Sequence, residues 1–322
     1  MAELAPGLVT IFGGSGFVGA QVARAMARRG WRVRIAVRKP ALAYELRMAG
    51  DVGQIQLTRC DITDKLAVAE AMAGADVAIN LVGILHEAGG RKFDALHVEG
   101  TYNIAEAAAA AGVKQLVQIS AIGADANADS DYARTKGEAE IVLRQLFPQA
   151  VIVRPSVIFG KEDNFLNRFA AMATYMPALP LIGGGNTRLQ PVYVGDVAEA
   201  ISVCATSSDA AGQTYELGGA AVWTMKDLMS YILTITGRDR FLLPLPFFAA
   251  RIIAGFAQVP AIIGLTPALT VDQVKLLESD NVVSDGAKGL SDLGIEATGL
   301  QAIAESYLWR YRVGGQYAEQ NA

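Results

Sequence analysis

Cysteine and histidine are scarce, two of each in 322 residues. Cys60 and Cys204 cannot build a disulfide framework, and with only His86 and His97 beside them no metal-ligand spacing forms. A bound metal is therefore not expected, and a reducing compartment fits. Charged residues make up only 19% and the net charge is −4, so nothing pulls the chain toward nucleic acid and no nucleic-acid partner is expected. Long apolar runs are also missing, which argues against a spanning helix of about 20 residues. Met1 leads almost directly into an apolar strand pattern at Leu8, leaving no room for a signal peptide. A cytoplasmic chain, or a mature form, is the expectation. What the chain has instead is 52% hydrophobic residues, enough for a well-buried core in one large domain or two intimate ones.

Short β-branched runs alternate with Ala-rich helical stretches through the first half, the pattern of βαβ units on a parallel sheet. Strands are expected at 8–12, 31–37, 55–58, 77–81, 116–120 and 150–154, and helices most clearly at 19–29, 96–111 and 132–146. The strand segments are nearly continuously apolar, as when helices cover both sheet faces. After Arg154 the alternation breaks at Pro155, Pro177, Pro180 and the turn Gly183-Gly184-Gly185-Asn186. The fold class expected is α/β, a doubly wound parallel sheet with a smaller C-terminal lobe. Residues 1–155 form the dinucleotide-binding part, rejoined by a strand at 190–194 and a helix at 196–204 within about 188–206, while 156–187 and 207–322 form the smaller lobe.

The segment FGGSGFVG places Gly13, Gly14, Gly16 and Gly19 between the first strand and the first helix, with Ser15, Phe17 and Val18 among them. Glycines there serve a tight turn, backbone approach to a pyrophosphate, and close packing of helix on strand. The second strand ends in Val37-Arg38-Lys39, where a carboxylate would select the ribose hydroxyls of NAD. A guanidinium pairs instead with a 2′-phosphate, so Arg38 and Lys39 favour NADP(H). Asp61, after the third strand, either accepts from the adenine amino group or caps the helix that starts near Asp64.

Tyr132 and Lys136 lie four residues apart, on one face of a helix. A lysine ammonium lowers a neighbouring phenol's pKa, so the tyrosine can act as acid or base while the lysine reaches the nicotinamide ribose. The hydroxyl that would bond a substrate oxygen is Ser120 in one alignment, whereas another places Ala121 there. His86 is either a nicotinamide neighbour or a loop residue bonded to backbone. His97 reads as a packing or capping residue, Cys60 as a small buried hydrophobe, and Asp196 as an N-cap.

These residues resemble the extended and atypical short-chain dehydrogenase/reductases. The resemblance is carried by GGSGFVG, Ala78-Ile79-Asn80-Leu81-Val82-Gly83, His97-Val98-Glu99-Gly100-Thr101-Tyr102-Asn103, Tyr132 with Lys136, and Val153-Arg154-Pro155-Ser156. It implies that Ile62, Leu81, Val82, Gly83 and Pro155 also border the nucleotide. VIVRPSVIFGKEDNFLNRF, LQPVYVGDVAEAI and FLLPLPFFAARIIAGF are more narrowly similar to the 39 kDa accessory-subunit family of respiratory complex I. That likeness implies a tightly held NADPH with a structural role, complex I subunits as partners, and a peripheral place on the inner face of the cytoplasmic membrane, or on the matrix side. A free NADP-dependent reductase or nucleotide-sugar epimerase/dehydratase is the alternative. Residues 241–270 carry Phe247, Phe248, Ile252, Ile253, Phe256, Ile262 and Ile263 but are broken by Pro244, Pro246, Arg251 and Pro260. They read either as a core helix or, following the resemblance, as a peripheral membrane contact.

Overall fold

The computed structural model describes residues 3–258, 267 and 269–317. In chain order the first lobe contributes β1 (Leu8–Phe12), α1 (Phe17–Arg28), β2 (Arg32–Val37), β3 (Ile55–Arg59), α2 (Lys65–Met72) and β4 (Val77–Asn80). α3 (Gly100–Ala110), β5 (Gln115–Ile119), α4 (Asp131–Leu146) and β6 (Val151–Pro155) follow. Next come β7 (Ile158–Phe159), α5 (Leu166–Tyr175), β8 (Ala178–Ile182), β9 (Arg188–Leu189), β10 (Val192–Tyr193), α6 (Val194–Thr206) and β11 (Thr214–Leu217). The chain continues through β12 (Trp223–Thr224), α7 (Met225–Thr236), β13 (Phe241–Leu245), α8 (Phe247–Ala257), α9 (Val271–Leu276) and α10 (Leu300–Leu308).

The main sheet has seven strands in the order β3-β2-β1-β4-β5-β6-β11, every pair parallel. One face of its middle is fully apolar, with Val9 and Ile11 of β1 between Val33 and Ile35 of β2 and Val77 and Ile79 of β4; on the other, Phe12, Ala36 and Ala78 accompany the buried Thr10, whose hydroxyl donates to the Ala71 carbonyl at 3.0 Å. Each of those Val and Ile side chains contributes about 1.5–3 kcal/mol on burial. α1 and α6 cover one face through Val22, Met26, Val197 and Ile201, and α2, α3 and α4 the other through Val68, Met72, Ile104 and Leu143. Strand order runs outward in opposite directions from β1 and β4. The crevice for a ligand therefore opens at the C-terminal ends of those two strands.

Three expectations change. The strand expected at 190–194 is a two-residue pairing of β10 with β7 and does not enter the main sheet. The sheet's seventh strand is β11, from the range read as the smaller lobe, and it pairs with β6. The helix at 196–204 is α6, packed on α1 within the core of the first lobe. The helix expected from 96 begins instead with a π-helical turn, Asp94–Glu99, ahead of α3.

The small lobe packs α5, α7 and α10 around Leu166, Ala170, Leu228, Ile232, Ala304 and Tyr307. α8 and α9 share a much thinner core of Ile182, Ala250, Ala254 and Val274. Phe248 and Phe256 are 69% and 77% exposed, with Ile252 and Ile253 beside them on α8 and Phe241 and Leu243 on β13. Phe247 turns inward, its ring lying where a Cβ on Gly183 would sit. The expected contacts at Ile262 and Ile263, with Pro260, fall outside the described residues. Among the described residues no helix is long and apolar enough to cross a membrane. Cys60 and Cys204 are buried, and desolvation pushes both thiols up to about 12.

Candidate functional site

The glycine loop crosses the crevice between β1 and α1, and its glycines divide the work. Gly13 has a φ of +76°, and a Cβ there would lie 3.1 Å from the Val82 nitrogen. Only glycine takes this turn without strain, and it lets the loop touch the exit of β4. Gly14 and Gly19 are buried: a Cβ on Gly14 would press Ile35, and one on Gly19 would sit 2.3 Å from the Gly13 carbonyl oxygen. These two are packing positions. Ser15 and Gly16 are exposed, and Phe17 and Val18 half-buried. α1 begins at Gly16 with no side-chain cap and no acidic residue in its first turn, leaving amide donors and the positive end of the helix dipole facing outward.

Arg38 and Lys39 stand exposed immediately beyond β2, and among the described residues neither has an ion-pair partner. Asp61 Oδ1 accepts from the Thr63 amide at 3.1 Å and the Thr63 hydroxyl at 2.9 Å. The helix cap is Asp64, which accepts from Leu66 and Ala67. Asp61 thus shapes the turn without capping the helix, and Oδ2 remains available. Ile62 is buried against Gly100, and its carbonyl accepts from Asn103 at 2.9 Å.

The exit of β4 is held by a buried amide pair: Asn80 Nδ2 donates to Gln118 Oε1 at 2.8 Å, and Asn80 Oδ1 accepts the Val82 amide at 3.0 Å. This fixes Leu81, Val82 and Gly83 against Gly13. A Cβ on Gly83 would lie 3.2 Å from Lys136 Nζ, so glycine makes room for the ammonium. Lys136 is 3% exposed, donates to the Ile119 carbonyl at 3.2 Å, and is pushed down to about 8 by desolvation. Tyr132 is raised to about 12, first by desolvation and then by the charge of Asp272. Pro155 is buried at the end of β6, its carbonyl accepting the Ile122 amide at 3.1 Å.

Ser120 is 4% exposed, and its hydroxyl donates to Glu140 Oε1. Glu140 is itself gripped by Arg154 through two bonds, 2.9 Å and 2.6 Å, and Arg154 also meets Glu216 at 3.4 Å. Ala121, the alternative position, has no hydroxyl. His97 is 2% exposed; its Nε2 accepts the Ile84 amide at 3.2 Å, and Nδ1 meets Thr135 Oγ1 at 2.9 Å. Burial and the Lys136 charge push it down to about 2, so the ring is neutral with its proton on Nδ1. It packs edge-on to Tyr132, centroids 5.7 Å apart. His86 is half-buried and lowered by desolvation and by Arg91 and Arg168. Asp196 accepts from the Thr298 amide and hydroxyl at 2.7 and 2.8 Å, and no side-chain bond caps α6. It ties α6 to the segment just ahead of α10 and is not the N-cap expected.

The sequence reading missed Glu140, Arg154 and Asp272, all of which touch or hold the proposed site. Glu140 follows Lys136 by one helical turn, a weak signal in hindsight; Asp272 is separated by 140 residues from Tyr132 and left none.

Residues 9–218 match the NAD dependent epimerase/dehydratase family. The chain is similar to NADH dehydrogenase (ubiquinone) 1 alpha subcomplex subunit 9, mitochondrial, of Mus musculus, 34% identical over 310 residues, 95% of this chain and 80% of the relative. The same-named protein of Arabidopsis thaliana is 33% identical over 96% of this chain and 79% of its own length. Among solved structures, a nucleoside-diphosphate-sugar epimerase from Staphylococcus aureus superposes with a TM-score of 0.72 at 18% identity, covering 91% of this chain and 98% of that one.

Proposed function

The chain belongs to the NAD dependent epimerase/dehydratase family and, within it, to the family of the alpha subcomplex subunit 9 relatives, and from that premise we propose that it is an NADP(H)-holding accessory or assembly subunit of respiratory complex I, NADH:ubiquinone oxidoreductase, with a structural role. The observation that carries the non-turnover half is the bond from Ser120 to Glu140. The hydroxyl offered to a substrate in the enzyme reading is already spent inside the protein.

The residues present fit a dinucleotide. The opening amides of α1 and the Gly13 turn suit a pyrophosphate. Arg38 and Lys39 suit a 2′-phosphate, Asp61 suits the adenine edge, and Lys136 with Tyr132 suits the nicotinamide ribose. When bound, the nicotinamide would supply hydride chemistry. This chain's own groups hold and orient: Lys136 is a desolvated cation beside Gly83, Tyr132 a phenol kept protonated at neutral pH, and His97 a neutral pin under both. Partners are other complex I subunits and a lipid surface. α8 carries one charge, Arg251, and no acid, which suits its exposed Phe248, Ile252, Ile253 and Phe256 to the interface of a bilayer. This supports reading the chain as peripheral on the inner face of the cytoplasmic membrane, or on the matrix face.

Gentle detergent extraction of native membranes tests the proposal. The chain is expected to co-purify with complex I and to release about one NADP(H) per chain on denaturation. Replacing Phe248 and Phe256 by Ser is expected to free it from membranes with its nucleotide retained. Recovery of the chain alone in the soluble fraction, with NADPH oxidation on a small carbonyl or nucleotide sugar that Tyr132→Phe abolishes, overturns the proposal in favour of the free enzyme.

A further inference from the structure

The first turn of α4, which carries Tyr132, is held from across the molecule. Ser130 accepts from the Ala133 amide at 3.3 Å, and its hydroxyl donates to Asp272 Oδ2 at 2.9 Å. The same carboxylate accepts the Asp131 amide at 2.7 Å and the Tyr132 amide at 3.2 Å. A second bond runs alongside, from Lys275 Nζ to the Asp129 carbonyl at 2.8 Å. Opening amides of a helix lack partners of their own, and a carboxylate placed there also meets the favourable end of the helix dipole. Asp272 therefore supplies what α4 needs, but from α9 in the small lobe.

α9 is in turn packed on α8. Val274 shares its small core with Ala250 and Ala254, and Arg251 of α8 pairs with Glu278 just beyond α9. α9 holds its own shape through a capping box of Thr270 and Gln273. Three bodies thus stand in series: the apolar face of α8, the short helix α9, and the helix that places Tyr132 and Lys136. The link between the last two is polar and concentrated on Asp272.

We propose that Asp272 is a positioning residue of the nucleotide site, and that through it nucleotide binding and the seating of α8 on a lipid surface strengthen one another. The second half rests on the membrane reading above; the first does not. A nucleotide held by Lys136 and Tyr132 fixes α4 in the orientation that meets Asp272. A seated α8 fixes α9 in the orientation that presents it. Such coupling is reciprocal, because each ligand favours the same arrangement of the shared element.

The test uses the full chain, NADPH, and vesicles of phosphatidylethanolamine and phosphatidylglycerol. NADPH affinity of the wild type is expected to rise about fivefold with vesicles, and vesicle affinity by the same factor with NADPH. Amide exchange over 271–276 is expected to slow when NADPH is added without vesicles. Asp272→Ala is expected to bind NADPH about fivefold more weakly and to lose both responses, Asp272→Asn to recover part of them, and Lys275→Ala to lose part. Wild-type α9 exchange indifferent to saturating NADPH, or full responses in Asp272→Ala, overturns the proposal. Should vesicles not bind at all, the membrane reading falls, and the exchange experiment still decides whether Asp272 positions the site. Should Asp272→Ala not fold, Lys275→Ala and Asp272→Asn carry the comparison.

Discussion

The two ends of the crevice are built on opposite principles. At the phosphate end, Ser15, Gly16, Arg38 and Lys39 are exposed, α1 has no side-chain cap, and neither cation has an ion-pair partner among the described residues. At the tyrosine end, Ser120 is bonded to Glu140, Lys136 to the Ile119 carbonyl, and His97 to both Ile84 and Thr135. One end offers unmet donors and charge, which is what an anion needs. The other has its serine hydroxyl and its imidazole bonded internally, while its ammonium keeps a single carbonyl bond and sits with the phenol in a desolvated setting. A turnover site needs a hydroxyl and a proton-transferring group aimed outward with pKa values near the working pH. The difference fits the proposal above, in which a nucleotide is held chiefly by one end.

Substitutions can break this contrast or sharpen it. The largest effect is expected from Gly19→Ala, whose Cβ would stand 2.3 Å from one backbone atom and 2.6 Å from another. Forcing the loop off α1 should cost on the order of 3 kcal/mol of stability and about a hundredfold in nucleotide affinity, read by thermal melting and by NADPH fluorescence. Arg38→Ala should remove about 1.5–3 kcal/mol of phosphate binding, tenfold or more, and narrow the preference for NADP over NAD. Titrations in which the wild type prefers NAD would reverse the reading of this end.

His97 probes the closed end through pH. Its ring is pushed from an ordinary 6.5 down to about 2, so the unfolded chain takes up a proton that the folded one refuses. That contribution to stability is whole above pH 6.5 and drains as pH falls below it, by about 1.4 kcal/mol per unit, or about 2 kcal/mol at pH 5. His97→Gln should flatten the urea midpoint against pH over this range. Lys136→Met removes a buried cation held by one carbonyl bond, and should raise the stability of the nucleotide-free protein by about 1–2 kcal/mol while weakening NADPH binding. The smallest effect is expected from Tyr132→Phe: nucleotide retention within about threefold of the wild type, under ~0.7 kcal/mol.

How much of this could be read in advance depends on whether the cause is local. The glycine loop was legible because strand, turn and helix are consecutive, and the six apolar strands because their burial is written in each segment. β11 was not. It is only four residues, and its Glu216 faces Arg154, which interrupts the apolar run that marks a buried strand. The placing of Tyr132 with Lys136 followed from helical spacing, but the fate of Ser120 did not. Its direction is set by Glu140 and Arg154, which lie on two other elements, and a hydroxyl's partner leaves no mark on its own neighbours in the chain. Asp61 stood between two roles, and the turn it makes with Thr63 needed coordinates to see. Asp272 belongs to the same class: a cap supplied by a different lobe has no sequence spacing to betray it.

The two cysteines lie deep in the first lobe with thiols raised to about 12. At pH 8 only on the order of one in ten thousand of either would be thiolate, the form that oxidants and alkylating reagents attack. The two thiols are thereby slow to react with peroxide, and the sulfur that such an oxidant reaches is that of exposed methionines such as Met48, 82% exposed. The same silence of the thiols makes the chain a clean background for chemical labelling. A single cysteine introduced at Phe256 would be the reactive thiol on the surface, and a polarity-sensitive dye attached there would report, by its emission alone, the moment the helix leaves water.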